Sequence, residues 1–414
     1  MSNTSSVRVS GARLWDSIMA MAEIGPGSQG GSRRLALTDE DREGRDLFVG
    51  WCRDIGCSIE VDDMGNIFAR RDGSDNNLAP IVAGSHLDTQ PHGGRFDGIY
   101  GVLAALEVLR SLHDNKVITR AALEVVVWTN EEGSRFAPAM IASGVYAGLF
   151  EKDYAWAICD AEGVSLGDEL KRIGYSGDAP CGEHAIGALL EAHIEQGPIL
   201  EAEDKQIGVV IGGQGQRWYN INLKGQDSHA GSTPMVGRRD ALVAAAEIIS
   251  AIQVIALEFA PHGVGTVGEM SVMPNSRNTI PGEVSFSVDI RNPDDGVLAE
   301  MDAKLRAVIA ISASKQSVSF DIDQIWHCPP VKFDPECIEA VETATSDLGY
   351  ASQRMVSGAG HDACQVCQVA PTAMIFVPCA GGLSHNEQES ATPEDLEAGC
   401  NVLLQAMVAL ANRS

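Results

Sequence analysis

Five residues of types that bind metal ions lie in short loop-like segments, each at the end of an apolar run. They are His86 and Asp97 in GSHLDTQPHGGRFDG, Glu132 in TNEEG, His193 in EAHIEQGP and His385 in GGLSHNEQE. A single catalytic zinc ion is usually held by three protein ligands and keeps one open position. Five imidazole and carboxylate ligands instead suit two metal ions that share a bridging carboxylate, an arrangement typical of hydrolytic sites.

Strand and helix patterns place these residues at one edge of a predicted sheet. An apolar run over 81–84 ends just before His86, and a β-branched run over 123–128 ends just before Glu132. A helical pattern begins immediately after Asp97. Alternating strands and helices predict a largely parallel sheet, and ligands bind beyond the carboxyl ends of such strands.

A shift in composition near residues 211–213 predicts a domain boundary. Beyond it the pattern predicts strand, helix, two strands, helix and strand, which is the order of a ferredoxin-like α+β domain. The pattern of the first domain then resumes and ends in a helix that Thr392 caps. The predicted fold class is α/β with an inserted α+β domain, divided into a catalytic domain of 1–212 and 329–414 and an inserted domain of 213–328.

Composition narrows the class of partner. The chain has 414 residues, 44% of them hydrophobic, and a formal net charge of -27. Such an acidic chain is a poor match for nucleic acid or an anionic membrane, so small molecules are the expected ligands. The N-terminal segment has no signal-peptide core, and no stretch is expected to cross a bilayer, which predicts a cytoplasmic protein. Scattered cysteines, including the lone CxxC pair Cys364 and Cys367, agree with a reducing compartment.

The motifs as a set resemble those of the amidase, hydantoinase and carbamoylase branch of the M20 metallopeptidase-like family, over almost the whole chain. The strings found in the family's order are GSHLDTQPHGGRFDGIYG, TNEEGSRF, EAHIEQGP, DSHAGSTPM, NTIPGEVSFSVDIR, SGAGHDA and SHNEQE. The resemblance implies a catalytic domain with two metal ions and a largely parallel sheet. It also implies that the inserted domain serves as a lid and as the contact of a homodimer.

The resemblance assigns the five residues to two ions. Asp97 would bridge them, His86 and His193 would complete one coordination sphere, and Glu132 and His385 would complete the other. Zinc is the expected metal, while manganese, cobalt and nickel suit the same ligands.

The resemblance also implies residues that assist the chemistry. Asp88 would orient an imidazole ligand, as ligating histidines usually require. Glu131 would be the general base, with its side chain directed away from that of Glu132. His229 would donate to the oxyanion, in the family within the site of the neighbouring subunit. His361 is expected behind the ligands.

Four further residues would bind the substrate. Asn278 and Arg291 resemble the family pair that holds a carboxylate, a role suited to the guanidinium fork. Arg291 taken alone fits a surface ion pair equally well. Gln196 would contact the polar end of the substrate, and Gly360 would offer its backbone. Together they predict a small anionic N-carbamoyl amino acid as substrate.

Several functions remain open at this stage. The first is hydrolysis of N-carbamoyl-L-amino acids or N-carbamoyl-β-alanine with release of ammonia. Allantoate amidohydrolase activity is the near alternative, and Gln90 in HLDTQ favours the carbamoylase. A peptidase or aminoacylase is disfavoured because His193 stands where peptidases of the family carry an acidic ligand. A non-catalytic binding protein is the remaining alternative, although none of the ligands or the base is missing.

Overall fold

The elements follow the predicted alternation. The structure, a computed structural model, describes residues 6–413. In its first part lie α1 Gly11–Ala22, α2 Asp39–Asp54, β1 Ser58–Val61, β2 Ile67–Arg71, β3 Ile81–His86, α3 Ile99–Asp114, β4 Leu123–Trp128, α4 Ile141–Tyr146, α5 Lys152–Ala157, α6 Leu166–Ile173, β5 Ala188–Ile194, α7 Ile199–Ala202 and β6 Ile207–Gly213. There follow β7 Gly215–Lys224, β8 Ser228–His229, α8 Ala241–Glu258, β9 Val264–Thr266, β10 Met270–Met273, β11 Thr279–Ile280, β12 Glu283–Asn292, α9 Asp295–Lys315 and β13 Ser319–Cys328. The last part holds β14 Val331–Lys332, α10 Pro335–Leu348, β15 Ser352–Ser357, α11 Asp362–Val366, β16 Thr372–Val377 and α12 Pro393–Ala411.

The chain divides into two compact units. The first unit runs up to Gly212 and resumes at Lys332, and the second comprises Gly213–Val331. The second boundary therefore lies three residues beyond the predicted one, because residues 329–331 complete the end of the second unit. There, the ring of Pro330 packs against Gly215.

The sheet of the first unit has the order β1-β2-β4-β3-β5-β16-β6-β14, and β15 pairs with β6. The four central strands β4, β3, β5 and β16 run parallel, whereas β2 and β6 pair with them antiparallel. Every residue of the four central strands is buried. Burial on both faces explains why these strands read as continuous apolar runs.

Helices α3 and α12 pack against each other and against the central strands. The Thr392 hydroxyl accepts the N–H of Asp395 at the start of α12, as its sequence predicts. Helix α3 begins after Gly98, whose positive φ of 71° closes the loop that carries Asp97. The start of α3, the helix after β3, thus fixes where the loop that carries Asp97 ends.

The second unit contains an antiparallel sheet with the order β10-β12-β7-β13, and β9 also pairs with β12. Helices α8 and α9 pack against this sheet. Its core includes Tyr219, Ile221, Ile248, Phe286 and Leu305. The order differs in detail from the predicted succession, because β8 lies between β7 and α8 and four strands, β9 to β12, lie between the two helices where two were predicted.

Helix α8 corrects one expectation. Its 18 residues have a mean hydropathy of 1.9, so by length and composition alone α8 could cross a membrane. No such stretch was predicted from the sequence. A single helix of this kind is weak evidence for a membrane span, and residues on one side of α8, among them Ala244, Ile248 and Ile252, belong to the core of the second unit. The apolar character of α8 is thus partly explained by packing.

Candidate metal centre

The parallel strands bring the predicted ligands to one edge of the first sheet. In the strand register His86 lies opposite Trp128 and His193 lies opposite Phe376, close to the carboxyl ends of β3, β4, β5 and β16. The loops that leave β4 and β16 carry Glu132 and His385. This edge is where open α/β sheets bind ligands.

The carboxylate of Asp97 lies between two groups of donor atoms. Its Oδ1 is 3.2 Å from Nε2 of His193 and 3.7 Å from Nε2 of His86. Its Oδ2 is 3.4 Å from Nε2 of His385, which is also 3.4 Å from Oε2 of Glu132. In each of the two groups the donor atoms lie within 4.8 Å of one another. The five predicted residues thus form two sets that share Asp97.

Backbone carbonyls orient two of the imidazoles. Nδ1 of His86 donates to the carbonyl of Asp88 at 2.8 Å, and Nδ1 of His193 donates to the carbonyl of Ile194 at 2.9 Å. Because a carbonyl only accepts, Nδ1 carries the proton in both rings, and a neutral ring then has its lone pair on Nε2. Both Nε2 atoms face Asp97, which is the orientation that metal binding requires.

The side chain of Asp88 has a different task from the one expected. Its Oδ1 is 3.9 Å from Nδ1 of His86, beyond hydrogen-bond distance. The carboxylate instead accepts the backbone N–H groups of Glu131 and Glu132, each at 3.3 Å. Asp88 therefore orients the imidazole through its carbonyl and holds the acidic doublet through its side chain.

The two glutamates of the doublet point to different partners. Oε2 of Glu131 is 3.5 Å from Nε2 of His86, whereas Oε2 of Glu132 accepts from Nε2 of Gln90 at 2.7 Å and faces His385. Both lie in the loop after β4, not on the strand end, and Asn130 just before them has a positive φ of 56°. The loop conformation therefore separates the two side chains.

Burial shapes the electrostatics of the cluster. It raises the pKa of Glu131 well above its ordinary value and raises that of Glu132 to about 7. Burial also acts to raise the pKa of Asp97, but the surrounding imidazoles of His193, His385 and His86 outweigh it and hold that pKa well below its usual range. Buried carboxylates that share a site are stabilised by bound cations, so the donor set fits divalent metal ions.

Gln196 lies beside the shared carboxylate. Its Nε2 is 2.9 Å from Oδ2 of Asp97 and 3.2 Å from Oγ of Ser384. Its Oε1 is buried and has no hydrogen-bond partner within residues 6–413. A buried acceptor without a partner costs free energy, which is consistent with a group that binds a ligand.

A third set of possible donors, Glu191, His193 and His361, lies behind the cluster. The ring of His361 meets that of His193 edge to face at 4.6 Å between centroids. Glu191 already accepts from Oγ of Ser85 at 2.6 Å and from the N–H of Ala363 at 2.9 Å. These bonds make Glu191 a support of the site. Gly360, next to His361, lies so close to Met140 that a Cβ there would be 2.8 Å from its Cε.

The remaining predicted residues belong to the second unit. His229 on β8 pairs with Thr279 of β11, and the N–H of Ala230 donates to the carbonyl of Asn278 at 2.9 Å. The structure thus brings His229 and Asn278 together. Arg291 on β12 makes an ion pair with Asp289 at 2.7 Å. Their roles in substrate binding stay predictions.

Two residues of the loop after β16 were missed by sequence reasoning. Oε1 of Glu389 accepts the N–H groups of Phe96 at 2.9 Å and Asp97 at 3.1 Å. Oγ of Ser384 lies 2.9 Å from Oε2 of Glu389 and 3.1 Å from Oδ2 of Asp97. Both stand in the string SHNEQE, but only its histidine had a residue type that suggested metal binding.

Comparisons with known proteins identify the family of the chain. The model of peptidase family M20/M25/M40 matches residues 82–409. The chain is 51% identical to an N-carbamoyl-L-amino-acid amidohydrolase of Rhizobium meliloti, over 97% of this chain and 96% of that one. It is 34% identical to an allantoate amidohydrolase of Bacillus subtilis, over 96% and 97%.

Solved structures include a similar fold. The crystal structure of an amidase of the hydantoinase/carbamoylase family from Burkholderia multivorans superimposes with a TM-score of 0.96 at 57% identity. The alignment covers 99% of each chain.

Proposed function

The chain belongs to peptidase family M20/M25/M40, in its hydantoinase and carbamoylase branch, and we propose that it hydrolyses N-carbamoyl-L-amino acids or N-carbamoyl-β-alanine. It is a hydrolase of carbon–nitrogen bonds other than peptide bonds. One water molecule adds to the ureido carbon, the carbamoyl C–N bonds break, and the products are the amino acid, ammonia and carbon dioxide. The convergence of four donors on the two sides of the Asp97 carboxylate carries the proposal.

The same geometry supports two metal sites. His86, Asp97 and His193 would hold one ion, and Asp97, Glu132 and His385 would hold the other. Divalent ions bound there would polarise the scissile carbonyl and lower the pKa of a water molecule. Zinc is the favoured metal for imidazole and carboxylate ligands, with manganese, cobalt and nickel as alternatives.

Glu131 would move the proton. Its carboxylate faces His86 from a buried position, while Asp88 holds its backbone, so it can reach a water molecule beside the ligand set. A general base in this place takes a proton from the attacking water and delivers it to the leaving nitrogen. The raised pKa of its carboxyl, caused by burial, favours holding that proton between the two steps.

Four residues would recognise the substrate. Gln196 would accept a ureido N–H through its unpartnered Oε1, and Gly360 would contribute backbone. Asn278 and Arg291 would bind the substrate carboxylate; Asp289 already holds the guanidinium of Arg291 in place.

His229 would stabilise the oxyanion. Its Nδ1 accepts the N–H groups of Gly231 and Ser232 at 3.0 and 3.1 Å. The ring proton therefore sits on Nε2, which can donate to developing negative charge. We propose that it does so in the site of the neighbouring subunit.

The homodimer would form through the second unit. Its two helices expose apolar side chains to solvent, with Leu257 of α8 67% exposed and Ile311 of α9 56% exposed. Exposed apolar surface of this kind is typical of protein interfaces. We propose a cytoplasmic dimer in which the second unit also serves as a lid.

Allantoate is the second candidate substrate, because a relative of 34% identity is named allantoate amidohydrolase. The sequence cue for a carbamoylase, Gln90, contacts Glu132 and could therefore affect the reaction. A peptidase remains disfavoured by His193, and a binding protein by the complete set of donors.

Ammonia release from the ureido substrates, with newly formed free amine as the readout for the dipeptide, decides among these functions. The protein is reloaded with zinc or manganese and assayed with N-carbamoyl-β-alanine, several N-carbamoyl-L-amino acids, allantoate and a dipeptide. We expect turnover of the carbamoyl amino acids. Turnover of allantoate alone would replace the proposal with the second candidate, dipeptide cleavage would indicate a peptidase, and no turnover at all would favour a binding protein.

A further inference from the structure

The loop after β16 does more than supply His385. Glu389 is 5% exposed, and one of its carboxylate oxygens accepts two successive backbone N–H groups, those of Phe96 and Asp97. These N–H groups precede α3 and lie outside any strand, so no sheet ladder fixes them. A carboxylate that accepts two N–H groups fixes the peptide plane between them.

The side chain of Asp97 is held from the same direction. Oγ of Ser384 lies between Oδ2 of Asp97, at 3.1 Å, and Oε2 of Glu389, at 2.9 Å. Nε2 of Gln196 contacts Oδ2 of Asp97 at 2.9 Å and Oγ of Ser384 at 3.2 Å. Backbone and carboxylate of Asp97 are therefore tied to one loop, and Glu389 is the member that reaches both the backbone and Ser384.

The loop that carries Asp97 leaves space for the side chain of Glu389 at Gly94. Gly94 packs against its carboxylate so closely that a Cβ at position 94 would overlap Oε1 and Cδ. The loop that carries Asp97 therefore has a gap at the place where the carboxylate enters. Close backbone approach is a common reason for glycine outside turns.

We propose that Glu389 is a positioning residue that sets Asp97 against His385, so that one carboxylate serves both metal ions. The inference rests on the proposed metal centre. Asp97 offers one oxygen to the His86 and His193 side and the other to the His385 side, so a rotation or shift of its carboxylate would weaken both sets. Ser384 and His385 are neighbours, and the contacts of Glu389 thus join two of the three loops that would hold the second ion, those of Asp97 and His385.

Metal affinity tests the proposal independently of any substrate. The chelated protein is titrated with zinc or manganese by calorimetry, and bound metal is counted by elemental analysis. For Glu389→Ala we expect an affinity lower by about 10- to 100-fold for at least one ion, the usual effect of losing a partner that supports a ligand. Glu389→Gln keeps an oxygen that accepts both N–H groups and should bind metal as the unchanged chain does.

Glu387 provides a matched control on the same loop. It accepts the N–H of Gln29, and it contacts Ser28 and His92. Glu387→Ala should alter thermal stability without changing metal affinity. Should Glu389→Ala fail to fold, Ser384→Ala removes the hydroxyl between the two carboxylates and should weaken metal binding.

The outcomes separate the two proposals. An unchanged chain that binds no divalent metal would overturn the metal centre itself. If the Glu389→Ala protein binds metal as well as the unchanged chain does, the role of Glu389 alone is overturned. Where Glu389→Ala does not fold, the same result for Ser384→Ala overturns it. Equal weakening by Glu387→Ala would also overturn it, since the effect would then belong to the loop as a whole. Weakening by Glu389→Gln to the level of the alanine variant would assign the effect to charge and refute positioning.

Discussion

Gly98 lies directly against the imidazole of His86, so that a Cβ at position 98 would overlap Nε2, Cε1 and Cδ2 of that ring. The N–H of the same glycine donates to Nε2 of His193 at 3.1 Å. One residue without a side chain therefore contacts both histidines that face Oδ1 of Asp97. Its φ of 71° adds a second requirement for glycine.

Replacing Gly98 with alanine should weaken metal binding more than it weakens the fold. The positive φ alone costs about 1–2 kcal/mol for a residue with a Cβ, and the overlap must displace the ring of His86. Metal affinity is measured by titration and the free energy of unfolding by urea, both on chelated protein.

Gly349→Ala is the matched control, because Gly349 has a φ of 77° but open space around its Cβ position. It should lose stability without losing metal affinity. Equal metal affinity in the Gly98→Ala protein would show that the ring of His86 does not serve as a ligand.

Glu131→Gln should abolish most turnover while leaving the metal content unchanged. The amide cannot accept a proton from water, and loss of a general base typically lowers kcat by about 10²- to 10⁴-fold. The matched variant Glu132→Gln should instead lose metal, because Oε2 of Glu132 faces His385. Activity and metal content are measured on both. Full activity in Glu131→Gln would refute the proposed base.

The strands and the five donors could be predicted because their signals are local. The strands β3 and β4 are apolar runs that are buried on both faces, and each leads into a loop with a chemically distinctive residue. Parallel strands then bring such loops to one edge. His86 and His193 followed from this reasoning with no knowledge of side-chain contacts.

The supports of the site could not be predicted, because they depend on loop conformation. Glu389 acts on backbone N–H groups about 290 residues away in sequence, and Asp88 turned out to orient His86 by its carbonyl. Nothing in the residue type tells whether an aspartate will use its side chain or its backbone. Helix α8 was misjudged for a related reason, since hydropathy does not tell a helix face that packs on a sheet from one exposed to lipid or a partner.

If the protein is a dimer that associates through the second unit, charged substitutions on that unit should lower its molecular mass in solution from that of a dimer to that of a monomer. Leu257→Glu and Ile311→Glu place charges on exposed apolar positions of α8 and α9, where they should not disturb the core. We expect the unchanged chain to be dimeric by light scattering and the double variant to be monomeric. Glu300→Lys, on an exposed polar position of α9, is the control for a change of surface charge alone. A double variant that remains dimeric would place the interface elsewhere.

His184 should make stability depend on pH. Its Nε2 and Nδ1 contact Glu124 at 2.6 Å and Glu60 at 2.9 Å, and its ring stacks on Phe68. Burial lowers the pKa of His184, but the bonds to Glu124 and Glu60 raise it overall. A raised pKa in the folded state stabilises the fold fully below the unfolded value of about 6.5, and the stabilisation is lost as pH rises through the folded value.

The free energy of unfolding in urea, measured from pH 5.5 to 9, should therefore fall with pH more steeply in the unchanged chain than in His184→Gln. Glu60→Gln should show an intermediate slope, since it removes one of the two carboxylates. Parallel curves for all three proteins would show that the imidazole titrates alike in the folded and unfolded states. That result would contradict the raised pKa expected from its two short contacts with carboxylates.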